Sequence, residues 1–202
     1  MKCNFCTKPA VITQLYSGRS LCKTHFLKLT NDRIRKNITI NKLFTPKNKI
    51  AIEVSGDVKS IVVCQFLKEF SKRMPFELYA VTGNAQAKKI LKKIGIPVKA
   101  RKSKGSKFVT SETLDDIIEA NLFNLLKGKS KTRESIKILK DVPAEEIKLY
   151  AKLNKFEFVK TVKSEKKGLL QAIQDNIKQM EKKHPGTKFA MNKSFKNLNK
   201  IL

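Results

Sequence analysis

The stretch from Lys49 to Val63 constrains the fold of this chain more than any other. Every residue between Ile50 and Val54 is apolar except Glu53, a pattern typical of a strand inside a parallel sheet. Residues 55–60 follow as a turn, and apolar side chains with helical spacing begin after Lys59. Because the first turn of a helix has free N–H groups, this order predicts an anion-binding turn between a strand and a helix.

The same strand–helix order recurs further along the chain. Asn84 is a good helix cap, and Gly95 is a good helix stop. Alternating strands and helices of this length predict a parallel sheet with right-handed crossovers, so we expect an α/β fold. The further predicted strands cover residues 76–81, 96–100, 107–110 and 136–139, and the predicted helices between them cover residues 84–95 and 114–126.

Two pairs of metal-binding residues near the N-terminus follow the pattern C-x2-C-x15-C-x2-H. They are Cys3, Cys6, Cys22 and His25. Each pair can hold one side of a tetrahedral ion, and four protein ligands leave no position for water. The spacing therefore predicts a structural zinc finger, with a hairpin between the pairs. The alternative is a set of free, buried cysteines beside a surface histidine.

The charge balance is extreme. The chain has 44 Lys and Arg against 17 Asp and Glu, a net charge of +27. Such a field attracts polyanions through counterion release, which favours a nucleic-acid partner. A lysine-rich proteome or adaptation to salt or heat would give a similar composition. The chain contains no apolar run of about 18 residues and nothing that resembles a signal peptide, so we expect a cytoplasmic protein without a membrane partner.

Basic side chains cluster in three segments, where we expect them to contact phosphates. Two helices are predicted in the basic C-terminal region, one from Pro143 to about Asn154 and one from Ser164 to Lys183. We expect a finger with a basic helix at residues 1–45, an α/β domain at 46–140, and a helical basic region packed on it at 141–202.

The candidate phosphate contacts in the three basic clusters are Lys28, Arg33, Arg35 and Lys36, then Arg101, Lys102, Lys104 and Lys107, and finally Lys129, Lys131 and Arg133.

Several separated segments match one family of proteins in the same order. After the finger come S-G-D-V-K-S at 55–60, V-T-S-E-T-L-D-D at 109–116 and N-L-L-K-G at 124–128. D-V-P-A-E-E-I-K-L-Y-A at 141–151 and P-G-T-K-F at 185–189 complete the set. Together they resemble the tRNA 2-thiolation enzymes of the PP-loop ATP-pyrophosphatase superfamily, in the archaeal and thermophile form with an N-terminal zinc finger. The similarity extends over about the whole chain.

The resemblance implies a Rossmann-like PP-loop domain whose loop, Ser-Gly-Gly-x-Asp-Ser in the family, binds the pyrophosphate of ATP. It implies Ser55, Gly56, Ser60 and Asp116 as cofactor-binding positions, and tRNA or another structured RNA as the partner. The family's sulfur chemistry uses a Cys-x-x-Cys after the third strand and a later cysteine, either as nucleophiles or as iron–sulfur ligands.

The sequence departs from the family pattern at the positions that carry the chemistry. Asp57 replaces a glycine whose backbone must approach phosphate, and Lys59 replaces the loop aspartate. Ser111 and Glu112 replace Gly-His in the second nucleotide-proximal segment. Neither of the family's cysteine positions is filled. The connector at 99–108 is too short to hold the Cys-x-x-Cys, and residues 158–162, where the later cysteine would be, lack cysteine. Cys64, in an apolar helix pattern, is predicted to be a small buried hydrophobe.

These departures predict a tRNA-binding protein without catalytic residues. We expect structural zinc as its cofactor and no iron–sulfur cluster, and the altered loop leaves ATP binding in doubt. One alternative is an active thiolation enzyme that takes sulfur from an external carrier. Another is a regulatory subunit of an active PP-loop paralogue, and the sequence also leaves a homodimer open.

Overall fold

The protein is described by a computed structural model covering residues 1–128, 135–159 and 168–201, with side chains described up to residue 198. The N-terminal part contains a two-stranded antiparallel hairpin and a long helix. Its elements are β1 (Ile12–Gln14), a 3-10 turn (Leu15–Ser17), β2 (Arg19–Leu21) and α1 (Lys23–Ile40). The hairpin that was predicted between the two ligand pairs is confirmed.

A five-stranded parallel sheet follows, with helices connecting most of its strands. Its elements are β3 (Lys49–Glu53), α2 (Val58–Ser71), β4 (Glu77–Val81), α3 (Ala85–Ile94), β5 (Val98–Lys99), β6 (Lys107–Thr110), α4 (Leu114–Leu126) and β7 (Ile136–Lys137). Every pairing in this sheet is parallel. The predicted α/β fold is therefore confirmed, although the last strand is shorter than the predicted span of 136–139.

The strand order β5-β4-β3-β6-β7 places the first strand of the sheet, β3, at its centre. The chain adds strands on one side of β3 and then continues with β6 on the other side. In sheets of this kind the order reverses at such a pair, and ligands bind beyond the carboxyl ends of the two strands. The turn after β3 and the segment after β6 therefore lie where a ligand site is expected.

Among the described residues after β7, three helices follow: α5 (Ala144–Leu153), α6 (Leu169–Lys183) and α7 (Thr187–Ile201). The predicted helix beginning at Pro143 is confirmed as α5, with Pro143 as its N-cap residue. The start predicted for the next helix, at Ser164, lies outside the described residues. Helix α7 was missed, because the last predicted helix ended at Lys183 and a Pro-Gly pair such as Pro185-Gly186 is as compatible with a loop as with the start of a further helix. None of the described helices is long and apolar enough to cross a membrane.

The described residues form two compact units. The first, called here the finger unit, comprises residues 1–32, 114–128 and 168–201, and the second, the sheet unit, comprises residues 33–113 and 135–159. These units divide the chain at other positions than the predicted boundaries near residues 45 and 140. Helix α4, which follows the fourth strand in sequence, packs with α6 and α7 and so belongs to the finger unit.

Each unit has its own apolar core. In the sheet unit, the strand residues Ile50, Ala51 and Ile52 are fully buried, as the continuous apolar run predicted. In the finger unit, α4, α6 and α7 bury a cluster centred on Ile118 and Ile177. Helix α6 contributes Ile173 and Ile177 to this cluster, whereas its Leu169 and Met180 are exposed.

Candidate functional site

The four predicted metal ligands converge at the N-terminus. Their sulfur and ring nitrogen atoms all lie within 4.8 Å of one another. The Nδ1 atom of His25 is 3.4 Å from the Sγ atoms of both Cys3 and Cys22, and the Sγ atoms of Cys6 and Cys22 are 3.7 Å apart. A metal bonded to sulfur at about 2.3 Å and to nitrogen at about 2.0 Å brings tetrahedral ligands to such separations.

Local backbone structure explains this convergence. The first cysteine pair sits on a tight turn in which the Cys3 N–H donates to the Lys8 carbonyl. Asn4 ties this turn to β2, since its N–H donates to the Ser20 carbonyl and its Oδ1 accepts from the Ser20 N–H at 2.6 Å. The second pair spans the end of β2 and the first turn of α1, so helical geometry fixes the spacing between Cys22 and His25.

The pKa values of two thiols in the cluster differ from the ordinary value, that of Cys3 being lowered and that of Cys6 raised. Burial alone would raise the pKa of Cys3, but hydrogen bonds from the backbone of Cys22 and Phe5 and from His25 outweigh it and lower the pKa to about 6. For Cys6, the hydrogen bond from the Lys8 backbone lowers the pKa, while burial and the neighbouring sulfurs raise it by more. Each thiolate makes the ionisation of its neighbours less favourable. A bound cation that all of them contact therefore stabilises their ionised forms together.

The turn after β3 is closed by its own side chains. Asp57 is the N-cap of α2, and its Oδ1 accepts the Ser60 N–H at 2.9 Å and the Ser55 hydroxyl at 2.9 Å. The Gly56 N–H donates to the Ser60 hydroxyl at 3.1 Å, and the Asp57 N–H donates to the Ser55 hydroxyl at 3.4 Å. Three N–H groups that a bound phosphate would use are therefore occupied, one of them by a carboxylate.

Gly56 is also enclosed by a distant segment of the sheet unit. The Val159 N–H donates to the Gly56 carbonyl at 2.8 Å. A Cβ atom on Gly56 would lie 2.9 Å from the Val159 side chain and 3.1 Å from that of Ala87, and Gly56 has a φ of +92°. The turn thus requires glycine at this position for both conformation and space.

A second carboxylate lies at the end of the adjacent strand β6. Glu112 Oε2 accepts the Thr110 hydroxyl at 2.8 Å and lies 3.4 Å from Lys137 Nζ. Asp57 and Glu112 thus follow the neighbouring strands β3 and β6, where the order of the sheet reverses. The carboxylate of Asp57 opposes the binding of a polyphosphate at this edge, whereas that of Glu112 is paired with Lys137.

The predicted cofactor-binding residues are partly assembled. Ser55, Gly56 and Ser60 are joined by the hydrogen bonds of the turn, whereas Asp116 belongs to the finger unit, in the first turn of α4. Its neighbour Asp115 forms an ion pair with Lys188 at 2.7 Å. That pair links the D-D and P-G-T-K-F segments, a contact that no local sequence pattern indicates.

The predicted phosphate contacts differ in their exposure. Arg33 pairs with the buried carboxylate of Glu146 at 3.1 Å, and the ammonium of Lys107 donates to the Leu43 carbonyl at 2.6 Å. Arg35 is half-buried. Lys129, Lys131 and Arg133 lie outside the described residues. The exposed members are Lys28, Lys36, Arg101, Lys102 and Lys104.

Cys64, the remaining cysteine, lies fully buried in α2. Burial raises the pKa of its thiol to about 12. Because the thiolate is the nucleophilic form, this residue is unsuited to sulfur chemistry near neutral pH.

A family model matches the N-terminal segment that carries the converging ligands. Residues 2–27 match the family model described as 2-thiouridine synthetase TtuA, N-terminal LIM domain. The matched range contains all four of the converging ligands.

Curated relatives of the chain are named as tRNA thiolation enzymes. The tRNA-5-methyluridine(54) 2-sulfurtransferase of Thermotoga maritima is 38% identical over 69 residues, which are 34% of this chain and 23% of that protein. The enzyme of the same name from Pyrococcus horikoshii is 30% identical over 105 residues, 48% of this chain and 34% of that protein. The matched segments therefore span only about a quarter to a third of these relatives.

A solved structure shares the fold of the whole chain. The U34-tRNA thiolase NcsA from Methanococcus maripaludis matches with a TM-score of 0.86 and 22% identity, covering 100% of this chain and 88% of that chain. Taken together, the family model, the curated relatives and this structure confirm the resemblance to the tRNA 2-thiolation enzymes that the separated sequence segments indicated.

The cofactors expected from the sequence need correction. We expected structural zinc and no iron–sulfur cluster, but the solved structure of NcsA contains a 4Fe-4S cluster. The expectation failed because it relied on the family's two missing cysteine positions and assigned the N-terminal cluster to zinc by spacing alone. Cys3, Cys6, Cys22 and His25 are the group of described side chains that can hold a metal, and thiolates and imidazole also ligate iron.

We expect Cys22→Ser to lose most of the bound metal, because it removes a thiolate that lies close to both Cys6 of the first pair and His25 of the second. The binding energy of small metal modules is on the order of 10 kcal/mol, so the finger should also unfold at a lower temperature. Elemental analysis, acid-labile sulfide and thermal unfolding measure these effects. Cys64→Ala is the matched control and should keep its metal. Retention of the wild-type metal content by Cys22→Ser would contradict the assignment.

A second prediction concerns the turn after β3. Gly56→Ala should lower the free energy of unfolding by about 1–3 kcal/mol, because alanine disfavours a positive φ and its Cβ would press on Val159. The matched control is Gly83→Ala, since no atom lies within 4 Å of a Cβ at that position. Denaturant unfolding measures both. Equal effects of the two substitutions would show that the turn is not enclosed as described.

Proposed function

We propose that this protein binds tRNA, or another structured RNA, and no longer carries out the ATP-dependent thiolation for which its relatives are named. The observation that carries the proposal is the turn after β3. There the carboxylate of Asp57 accepts the Ser60 N–H at the helix N-terminus, the position suited to a phosphate. A bound nucleotide would have to displace an anion that the chain itself supplies.

The RNA-binding part of the proposal is supported by charge and by the names of the relatives. A net charge of +27 favours a polyanionic partner. The exposed cations Arg101, Lys102 and Lys104 lie on one short connector, which Tyr79 anchors. The Tyr79 hydroxyl accepts the Ser103 N–H at 2.8 Å, so the connector presents its charges from a fixed backbone.

The metal-binding part of the proposal assigns Cys3, Cys6, Cys22 and His25 to one metal centre. The closely spaced donor atoms support it. We also propose a cytoplasmic location, in keeping with the relatives from Scheffersomyces stipitis and Xenopus laevis, which are named cytoplasmic tRNA 2-thiolation protein 1.

Binding to tRNA should be strong at low salt and should weaken steeply as salt rises. A protein that neutralises about six phosphates loses roughly 10³-fold in affinity between 50 and 200 mM salt. Replacing Arg101, Lys102 and Lys104 by Gln should reduce the slope of log affinity against log salt by about two to three. Filter binding at several salt concentrations measures this slope. Absence of tRNA binding by the wild type at low salt would refute the proposal.

The proposed loss of ATP binding is tested by restoring the family's loop residues. Asp57→Gly, which restores the family's glycine, should raise ATP affinity by at least about tenfold, because it frees the Ser60 N–H and removes a carboxylate of the same sign as the phosphates. Glycine is a tolerated N-cap, so α2 should lose only a few tenths of a kcal/mol. Calorimetric titration with ATP measures the gain.

Lys59→Asp alone is the matched control for this experiment. It keeps the Asp57 carboxylate in place and should not gain affinity. Tight ATP binding by the wild-type protein would contradict the proposal that its own carboxylate closes the turn.

A further inference from the structure

A groove in the sheet unit lies beside the turn after β3. Its volume is about 570 Å³, within the ~300–1,000 Å³ of typical small-molecule pockets. One wall is the helix α3, and the other is the segment 156–159 that follows α5. The lining side chains are Gln86, Lys89, Ile90 and Lys93 on α3 and Phe156, Glu157, Phe158 and Val159 on the segment.

The segment 156–159 is anchored at both ends. It begins after Lys155, which has a φ of +55°, a conformation that costs a non-glycine residue about 1 kcal/mol or more. The Phe156 N–H donates to the Ala151 carbonyl at 3.0 Å, and the Phe156 ring packs edge-on against Tyr150. At the other end, the Val159 N–H donates to Gly56.

Phe158 is held between these anchors with its side chain exposed. Its exposed fraction is 42%, although it is a large apolar residue. A ring that is open to solvent and carried on an anchored backbone needs less ordering when a flat ligand stacks on it. The backbone around Phe158 thus makes it suitable as a stacking surface.

The rim of the groove is positively charged. Lys89 is exposed, and within the described parts of the chain it has no ion-pair partner. Lys93 forms an ion pair with Glu157 at 2.6 Å, and both side chains are more than half exposed. Exposed pairs of this kind contribute little stability, so Lys93 can exchange its carboxylate for a phosphate.

An exposed aromatic ring beside two lysines matches the chemistry of an unpaired nucleotide. Aromatic side chains stack on bases of any sequence, and lysines contact the adjoining phosphates. Glu157 and the lysines make the groove unsuited to a wholly apolar occupant, and the net charge of the protein favours RNA.

We propose that this groove binds an unpaired nucleotide of RNA, with the base stacked on Phe158 and the backbone phosphate contacted by Lys89 and Lys93. The inference rests on the proposed RNA-binding function. It adds a specific site to that function, with single-stranded RNA as the ligand class.

Helix α3 offers a matched control for the charge contacts. Lys88 and Lys92 are exposed on the same helix but do not line the groove. Replacing Lys89 and Lys93 by Gln should weaken binding of a single-stranded oligoadenylate by roughly tenfold or more relative to replacing Lys88 and Lys92 by Gln. Both double variants remove two charges from one helix, so only their positions differ.

The stacking contact can be observed directly, because the chain has no tryptophan. Phe158→Trp introduces the chain's single tryptophan into the groove, and oligoadenylate should quench its emission. A sugar–phosphate oligomer of the same length without bases should not. Phe158→Leu keeps an apolar side chain without a ring and should lose roughly tenfold in affinity for oligoadenylate.

The outcomes separate this inference from the function on which it rests. If the wild type binds tRNA and the two lysine double variants lose affinity equally, the groove is not the site and the RNA-binding function stands. Quenching of the tryptophan emission of the Phe158→Trp variant by an amphipathic peptide but not by oligoadenylate would also overturn the inference. If the wild type binds neither tRNA nor oligoadenylate, the function and the inference fail together.

Discussion

The hydrogen bond from the Ser60 N–H to the Asp57 carboxylate determines what the central turn can do. This bond, 2.9 Å long, gives a free N–H group at the N-terminus of α2 a partner from the protein itself. It lies beside β3, the strand at which the order of the sheet reverses. An N-cap of this kind contributes about 1 kcal/mol to helix stability. The same carboxylate occupies the position at which a helix N-terminus would attract phosphate. The side chain that stabilises α2 therefore also weakens the binding of phosphate at the turn.

The contact between Val159 and Gly56 extends this effect beyond the turn. It places the segment after α5 against the turn. Both the positive φ of Gly56 and the lack of space for a Cβ atom there require glycine. The segment then forms one wall of the groove along α3. Val159, which packs against Gly56 of the turn, therefore also lines the neighbouring groove, and we propose that the protein uses the groove rather than the turn for its ligand.

Local patterns in the sequence predicted the elements whose signals are local. The apolar run at Ile50–Val54 predicted a buried central strand, and the spacing of Cys3, Cys6, Cys22 and His25 predicted their convergence. Contacts between distant residues were not predictable, because neither the enclosure of Gly56 by Val159 nor the pairing of Arg33 with Glu146 leaves a mark on neighbouring residues. Helix α7 was missed because Pro185-Gly186 looks the same whether a helix ends there or a second one begins. The cofactor was predicted wrongly, since ligand spacing does not identify the metal.

The most direct test measures pyrophosphate released from ATP by the metal-loaded wild-type protein in the presence of tRNA and a sulfur donor. Adenylation of RNA by ATP releases one pyrophosphate for each nucleotide activated, whichever compound later supplies the sulfur. We expect no release above the rate without protein, while tRNA binding in the same sample is retained. Sustained release that depends on both tRNA and the protein would contradict the account, because it would require a polyphosphate to bind productively despite the carboxylate of Asp57.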